Sequence, residues 1–254
     1  MTLPRTPSFR LEGRRALVCG AGRGLGAAAA AALCDAGAQV HVAARTLAEC
    51  EAVAAELRAR GGDAQAIALD VLDSGALKAR LQEQGPYDIL VNSAGTNRPA
   101  LLVDTPDDDI DAVIALNVSA ALRVLREGAR ALIAAGRGGS LITLSSQMGL
   151  VGSPQRTVYC ASKHAVEGMT KALAWELGSH GIRVNSLCPT FIETPLTAPM
   201  LADDNFREFV LSRIALGRLG RLDDIMGAIV FLASDASAMV TGSALMVDGG
   251  WTAA

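Results

Sequence analysis

The stretch that decides the fold of this chain is RRALVCGAGRGLG, residues 14–26. It opens with a short apolar run that ends in glycine, which predicts a buried first strand. An alanine-rich helix follows as far as Asp35. Glycines in the turn between them permit positive φ and close backbone approach, while the helix amides face a pyrophosphate. The predicted phosphate-binding residues are Gly20, Gly24, Leu25 and Gly26; an ordinary tight turn is the alternative.

Strand and helix patterns alternate along the rest of the chain at intervals of about 20 to 30 residues. This alternation predicts one α/β domain over residues 1–254, with a doubly wound parallel sheet of about seven strands and helices on both faces. The later predicted strands are 39–45, 64–69, 88–91, 139–146, 182–187 and 243–247. The later predicted helices are 47–60, one that starts near Thr105, 159–180 and Leu222–Ala233.

Composition limits the classes of function. Of 254 residues, 50% are hydrophobic and 4% aromatic, which suits closely packed helices on a sheet. The net charge of -3 gives no electrostatic reason to expect nucleic acid or an anionic membrane as a partner, so we expect a small-molecule substrate. Five scattered cysteines without CxxC spacing predict free thiols rather than zinc ligands. With no signal-peptide core and no apolar stretch near about 18 residues, we expect a cytoplasmic protein.

The end of the second predicted strand indicates which dinucleotide would bind. An acidic residue there would accept hydrogen bonds from the adenosine ribose of NAD, whereas a basic residue would pair with the 2′-phosphate of NADP. This chain has Ala44 and then Arg45, with Arg23 in the glycine turn as a second cation. We therefore predict that NADP is preferred over NAD. The alternative is that both arginines are simply solvated.

Polar and small residues follow the next strands. Asp70 would accept a hydrogen bond from an adenine amino group, or would cap the following helix. Residues 92–95, NSAG, are small enough for a cofactor to lie across the carboxyl ends of the strands. Three aspartates at 107–109 indicate a helix start rather than a metal site, and no metal is expected. Asn117 has apolar neighbours, so it is either a satisfied core amide or part of a proton path.

A phenol and an ammonium lie one helical turn apart in Tyr159-Cys160-Ala161-Ser162-Lys163. A nearby cation favours the phenolate, and a pKa near 7 for Tyr159 would take about 4 kcal/mol of differential stabilisation. Lys163 would supply part of it and a positively charged cofactor more. The alternative is a ring at the edge of the core beside a solvated charge.

These features occur in a specific order. They are Gly20-x-x-x-Gly24-Leu25-Gly26, Asp70-Val71, Asn92-Ser93-Ala94-Gly95, Asn117, Ser146, Tyr159-x-x-x-Lys163, Pro189 with Ile192 and Thr194, and Asp248-Gly249-Gly250. In this order the chain resembles the short-chain dehydrogenase/reductase family over about residues 10–250, which implies a Rossmann fold. It departs from the family at Cys19, where threonine is usual, and at Thr190, where glycine is usual. The first departure removes a hydroxyl that ties the turn to the following strands, and the second affects the nicotinamide edge or the pocket.

The resemblance implies an oxidoreductase that interconverts a secondary alcohol and a ketone by hydride transfer. Tyr159 would exchange the proton with the substrate oxygen, and Lys163 would lower the pKa of Tyr159 and hold the nicotinamide ribose. Ser146 would hydrogen-bond the substrate oxygen, and Asn117 would hold a water that links Lys163 to solvent. The implied cofactor contacts are Gly20, Arg23, Gly24, Leu25, Gly26, Ala44, Arg45, Asp70, Val71, Asn92, Ala94, Gly95, Tyr159, Lys163, Pro189, Ile192 and Thr194.

Three polar residues near the predicted site, Arg98, Gln147 and Arg156, favour a polyol, sugar or sugar acid as substrate. A segment at about 190–210 would cover the site, and residues 196–205 within it show no helical period, so we expect a mobile loop.

Two other functions remain open. A 3-oxoacyl-[acyl-carrier-protein] reductase would need a basic docking surface, for which Arg123, Arg126, Arg130 and Arg137 are candidates. A nonenzymatic NADP-sensing protein would bind the cofactor without turnover. For assembly, alanine-rich helices and the family resemblance suggest a homotetramer or homodimer, although alanine also suits helix packing within one chain.

Overall fold

A computed structural model describes residues 2–195 and 197–253. Its sheet has seven strands in the order β3-β2-β1-β4-β5-β6-β7, and every neighbouring pair is parallel. The strands are β1 Arg15–Cys19, β2 Gln39–Ala44, β3 Ala64–Ala68, β4 Ile89–Asn92, β5 Gly139–Leu144, β6 Ile182–Pro189 and β7 Ala244–Val247. The predicted doubly wound α/β sheet is confirmed.

Helices cover both faces of this sheet. They are α1 Gly24–Asp35, α2 Leu47–Ala59, α3 Ser74–Gln84, α4 Asp107–Ile114, α5 Ala121–Ala134, α6 Thr157–Leu177, α7 Ala198–Leu201, α8 Asp204–Arg213 and α9 Leu222–Ala233. None of the helices within the described ranges combines the length and the apolarity that a membrane crossing requires.

The strands are apolar throughout because both faces of the sheet are buried. On one face, α1 and α9 pack through small and branched side chains, among them Ala29, Leu33, Ile225 and Ile229. On the other face, α5 and α6 enclose a second core with members such as Leu125 and Val166. Alanine in α1 lets the two helices approach each other closely, which explains the alanine-rich composition.

The sheet reverses its winding direction at β1. This strand pairs with β2 on one side and with β4 on the other, so that Cys19 lies beside both Ala43 and Asn92. A crevice therefore opens at the carboxyl ends of these strands, which is where open α/β sheets bind ligands.

The predicted helix start near Thr105 is confirmed, because α4 begins at Asp107; residues Ala115–Ala120 between α4 and α5 form a π-helical turn. One prediction of local structure is wrong. Residues 196–205 do not form an irregular loop, because α7 and the start of α8 fall within them; Leu196 lies outside the described residues. Side chains from α7 and α8, including Leu201 and Val210, form a third small core with Phe191. Sequence periodicity does not reveal a helix as short as α7.

Candidate active site

The glycine turn between β1 and α1 has the geometry that the sequence predicts. Gly20 has a φ of 78°, and a Cβ atom there would lie 2.7 Å from the backbone nitrogen of Ala94. A Cβ atom on Gly26 would overlap the carbonyl oxygen of Gly20. Side chains at these positions would therefore separate α1 from the strand ends. Although Cys19 replaces a hydroxyl residue, its carbonyl accepts a 2.9 Å hydrogen bond from the amide of Ser93, so the backbone itself ties the turn to β4.

A cavity of about 220 Å³ lies beside this turn at the ends of β1, β2 and β3. Both predicted cations, Arg23 and Arg45, line it, together with Asp70. Asp70 does not cap α3, because Asp73 accepts the amide hydrogen bonds at the start of that helix, at 2.9 and 3.0 Å. Asp70 instead accepts from the amide of Leu72, which leaves it at the cavity wall. The other predicted cofactor residues on this wall are Gly20, Ala44, Val71, Ala94 and Gly95.

Glu49, which the sequence analysis did not identify, also lines this cavity. Its carboxylate lies 3.6 Å from the guanidinium of Arg23. It rests over the glycine turn, since a Cβ atom on Gly22 would come within 2.9 Å of its Oε2. The indicator in the sequence was its position in the first turn of α2, four residues after Arg45.

A second cavity of about 420 Å³ continues from the first. The two cavities share Gly20, Arg23, Ser93 and Gly95, so they form the halves of one elongated crevice. Thr194 and Pro195 close its far side. Three other predicted contacts, Asn92, Pro189 and Ile192, have buried side chains and are absent from both linings. The Oδ1 atom of Asn92 is buried without a hydrogen-bond partner in the described part of the chain.

The Tyr159 and Lys163 pair lies in the first two turns of α6. Lys163 is 5% exposed, and its Nζ donates a 2.8 Å hydrogen bond to the carbonyl oxygen of Leu144, at the carboxyl end of β5. The same nitrogen lies 5.6 Å from the centroid of the Tyr159 ring. This excludes the alternative of a solvated lysine.

The pKa values of this pair differ from the prediction. Burial raises the pKa of Tyr159 to about 12, partly offset by its interaction with the Ser146 hydroxyl. Burial also lowers the pKa of Lys163 to about 8. The Lys163 ammonium lies over the face of the Tyr159 ring, and the effect of desolvation on the pKa of Tyr159 outweighs the groups that lower it. The protein's own groups therefore do not produce the lowered tyrosine pKa that the spacing suggested.

Asn117 lies in the π-helical turn and is 2% exposed. Its Oδ1 accepts from the Thr96 amide at 2.8 Å, and its Nδ2 donates to the Thr96 carbonyl at 2.9 Å and to the Ser162 hydroxyl at 3.0 Å. These three bonds join the loop after β4 to α6 directly before Lys163. The side-chain amide of Asn117 is therefore hydrogen-bonded through both its oxygen and its nitrogen, and its partners Thr96 and Ser162 were not apparent from the sequence. Single-turn π-helical insertions frequently occur at functional sites.

Ser146 follows β5 and is buried beside Gln147. Its hydroxyl donates to Gln147 Oε1 at 3.1 Å and accepts from the amide of Met148 at 3.1 Å. Gln147 is 1% exposed, and its Nε2 has no acceptor among the described residues. The structure thus brings Ser146, Tyr159, Lys163 and Asn117 to the same edge of the sheet as the crevice.

Comparison with known proteins decides the family. A family model described as enoyl-(acyl carrier protein) reductase matches residues 20–252. D-erythrulose reductase from Gallus gallus is 38% identical over 96% of this chain and 98% of its own length. A 3-oxoacyl-[acyl-carrier-protein] reductase from Thermotoga maritima is 39% identical over 95% of this chain and 99% of its own. The crystal structure of a gluconate 5-dehydrogenase from Burkholderia cenocepacia, in complex with NADP and tartrate, has a TM-score of 0.93 and 36% identity, covering 97% of this chain and 98% of that one.

The chain belongs to the short-chain dehydrogenase/reductase family. As a member of this family it is an NAD(P)-dependent oxidoreductase that acts on alcohol and ketone groups. The enzyme class and the type of cofactor predicted from the sequence are confirmed.

In this dehydrogenase the three predicted substrate residues have very different environments. Arg98 is exposed and forms a 3.1 Å ion pair with Asp109 in α4. Arg156, by contrast, is only 6% exposed and lies against Met200 and Phe206 from the segment of α7 and α8. Gln147 is buried next to Ser146. The structure therefore brings Gln147 and Arg156 close to Ser146 and Tyr159 respectively, and leaves Arg98 on the surface.

Proposed function

We propose that this dehydrogenase uses NADP to interconvert a secondary alcohol and a ketone on a polyol, sugar or sugar acid. The observation that carries the proposal is the position of Tyr159, Lys163 and Ser146 next to a crevice that Arg23 and Arg45 line. The arginines would bind a phosphate of the dinucleotide, and the other three residues would act at the substrate oxygen and the cofactor ribose during hydride transfer.

The crevice fits a dinucleotide in shape and charge. Its glycine turn leaves no room for side chains, so the backbone can approach a pyrophosphate. Arg23 and Arg45 suit the 2′-phosphate that distinguishes NADP from NAD, because guanidinium groups bind phosphate oxygens in a bidentate manner. The Burkholderia relative, whose structure contains NADP, supports the same preference.

The side chains at the site would manage the proton. When bound, the cofactor supplies or accepts a hydride at the substrate carbon. The Ser146 hydroxyl exchanges its bond with Gln147 for one with the substrate oxygen, where negative charge develops. Tyr159, with a pKa raised to about 12, is protonated at neutral pH and donates its proton to that oxygen during reduction.

Lys163 would hold the cofactor ribose and support Tyr159. Its Nζ uses one donor on the carbonyl of Leu144, which leaves two of its three donors for ligands. With a pKa lowered to about 8, it exchanges protons near neutral pH more readily than an exposed lysine. Asn117 joins Thr96, in the loop after β4, to Ser162, the residue before Lys163 in α6. This position favours a role for Asn117 in holding a proton path from Lys163.

The substrate class is supported by relatives and by local polarity. D-erythrulose reductase and gluconate 5-dehydrogenase are named for small polyhydroxylated compounds. Buried polar groups beside Ser146, including Gln147 Nε2, which has no acceptor among the described residues, suit a hydroxylated substrate rather than an apolar one.

The test is nicotinamide absorbance with the purified protein on polyols, sugars and sugar acids, with NADP and NAD compared. We expect turnover with NADP, loss of turnover in Tyr159→Phe by at least about 1,000-fold, and a dissociation constant for NADPH within about twofold of wild type. Equal loss of turnover and cofactor binding would show that Tyr159 is structural. Cofactor binding without turnover on every substrate would favour the NADP-sensing alternative.

A 3-oxoacyl-[acyl-carrier-protein] reductase is the second candidate, because the Thermotoga relative has that name. The basic surface that this function needs is weaker than the sequence suggested. Arg126 and Arg130 both pair with the buried carboxylate of Glu127. Arg137 pairs with Asp88 at the amino end of the sheet, away from the crevice. A 3-oxoacyl thioester in the same assay measures this activity directly.

The proposal includes a homo-oligomer, a homotetramer or homodimer, in the cytoplasm. Exposed apolar side chains on α5 and α6, notably Leu122 and Trp175, support an oligomer because Trp175 is 90% exposed. Five free and buried thiols support a reducing compartment.

A further inference from the structure

Arg156 is a buried cation that has no carboxylate partner among the described residues. It is 6% exposed, and each ion pair in the described part of the chain involves other arginines. A buried charge is costly unless it is paired, and burial accordingly lowers the pKa of this guanidinium. An anionic ligand would supply the counter-charge that the described residues do not.

The contacts of Arg156 leave most of its donors free. Nη1 donates to the backbone carbonyl of Gln155, and Nη2 donates to the sulfur of Met200, each at 3.1 Å. Thioether sulfur is a weak acceptor, and a guanidinium has five N–H donors. The guanidinium also lies 5.9 Å from the ring centroid of Phe206, which supports its plane without neutralising its charge.

Another largely enclosed arginine shows that this pattern is unusual within the molecule. Arg183 is half-buried at the amino end of the sheet. Its two terminal nitrogens donate to Ser237 and to the carbonyl oxygens of Leu232, Ser234 and Val240. Arg183 is thus satisfied by acceptors of the protein, which makes it structural. Within the described ranges, Arg156 has only the Gln155 carbonyl and the Met200 sulfur as acceptors.

The location of Arg156 connects it to the reaction centre. It is the residue before α6, and Tyr159 lies in the first turn of that helix. Tyr159 and Phe206 pack against the same small core, and the guanidinium of Arg156 contacts Met200 of α7 and the ring of Phe206 in α8. Its positive charge also acts on Tyr159, since it lowers the pKa of the phenol against the effect of burial.

We infer that Arg156 binds the carboxylate of the substrate, and that the preferred substrates are keto acids of sugars rather than neutral ketoses. This inference rests on the proposed function and narrows its substrate class. A carboxylate matches the planar donor fork of a guanidinium, and a desolvated pair of this kind contributes far more than an exposed one. The unpaired Nε2 of Gln147 supplies a neutral donor for a hydroxyl of the same substrate.

The experiment compares pairs of substrates that differ only in a carboxylate versus a hydroxymethyl group: 5-keto-D-gluconate with L-sorbose, and 2-keto-D-gluconate with D-fructose. Reduction by NADPH is followed with wild type, Arg156→Gln and Arg156→Lys. We expect wild type to favour a keto acid over its neutral partner. We expect Arg156→Gln to lose about 100-fold in kcat/KM on the acid, mostly through KM, and less than about threefold on the neutral ketose. The kcat/KM of Arg156→Lys on the acid should lie between the values of wild type and Arg156→Gln.

Arg213→Gln is the matched control, because Arg213 also lies 5.6 Å from an aromatic ring centroid in α8, that of Phe209, but is exposed. It should leave both kcat/KM values unchanged. A preference for the neutral ketose in both pairs, or equal losses on acid and ketose in Arg156→Gln, overturns the inference while the proposed function stands. Thermal unfolding of Arg156→Gln verifies that the variant folds. Silence with all ketones despite NADPH binding overturns the proposed function, and the inference with it.

Discussion

Replacement of Lys163 by methionine should abolish turnover and change the pH dependence of stability in a predictable way. The ordinary lysine pKa is 10.5, and burial lowers that of Lys163 to about 8. Between these values the folded protein holds fewer protons than the unfolded chain, so the lysine makes the wild type more stable as pH rises through this window. Below pH 8 the full penalty of burying the ammonium is present.

The magnitude follows from the shift. At about 1.36 kcal/mol for each pKa unit, the buried ammonium costs the folded state roughly 3 kcal/mol at pH 7. Methionine removes this cost but leaves the carbonyl of Leu144 without its 2.8 Å hydrogen bond, which costs about 1 to 3 kcal/mol at any pH. The two effects nearly cancel at pH 7. Between pH 7 and pH 10 the stability of wild type relative to Lys163→Met should rise by about 2 to 3 kcal/mol.

Urea unfolding of wild type and Lys163→Met, at one protein concentration and several pH values, measures the difference in unfolding free energy. Lys171→Met, which removes an exposed lysine from the same helix, controls for the loss of a positive charge. If the difference in unfolding free energy between wild type and Lys163→Met stays constant with pH, the pKa of Lys163 is the same in the folded and the unfolded protein. That result would contradict the prediction.

Two further predictions concern the cofactor crevice. Glu49→Gln should tighten NADPH binding by about threefold and leave NADH binding nearly unchanged, because it removes a partly exposed negative charge beside Arg23. Nucleotide titration followed by fluorescence measures both dissociation constants. Equal effects on the two nucleotides would contradict this prediction. Gly20→Ala should destabilise the protein by at least about 2 kcal/mol, because the added Cβ atom would lie 2.7 Å from the Ala94 backbone nitrogen and because the φ of this residue is positive. Gly168→Ala, in open space on α6, should instead stabilise it by about 0.5 to 1 kcal/mol, and similar unfolding temperatures for the two variants would count against this account.

The fold was predictable because its sequence patterns are local and repeated. Short apolar runs mark strands buried on both faces, and α9 begins and ends where its apolar period does. The pairing of Tyr159 with Lys163 was predictable for the same reason, since four residues in a helix place both side chains on one face. Less predictable were α7 and the π-helical turn at Asn117, because each depends on packing between segments distant in sequence.

The environment of each site residue was not predictable from residue type. Arg98, Arg126 and Arg156 look alike in the sequence, yet Arg98 pairs with Asp109, Arg126 pairs with Glu127, and Arg156 is buried with no carboxylate partner in residues 2–195 and 197–253. Glu49 became relevant only when the turn of α2 placed it over the glycine loop. These differences arise from side chains that meet across elements.

Local sequence patterns are sufficient for the doubly wound sheet and for the glycine turn beside the crevice, and they point to Tyr159, Lys163 and Ser146 as the proposed reacting groups, since each depends on short-range spacing and on the chemistry of single residues. Only the tertiary structure decided how those groups are charged and paired. Desolvation raises the pKa of Tyr159 and lowers that of Lys163, and the segment of α7 and α8 buries Arg156. The physical reason is that solvation and pairing energies depend on which distant segments exclude water from a side chain, and no local spacing specifies that.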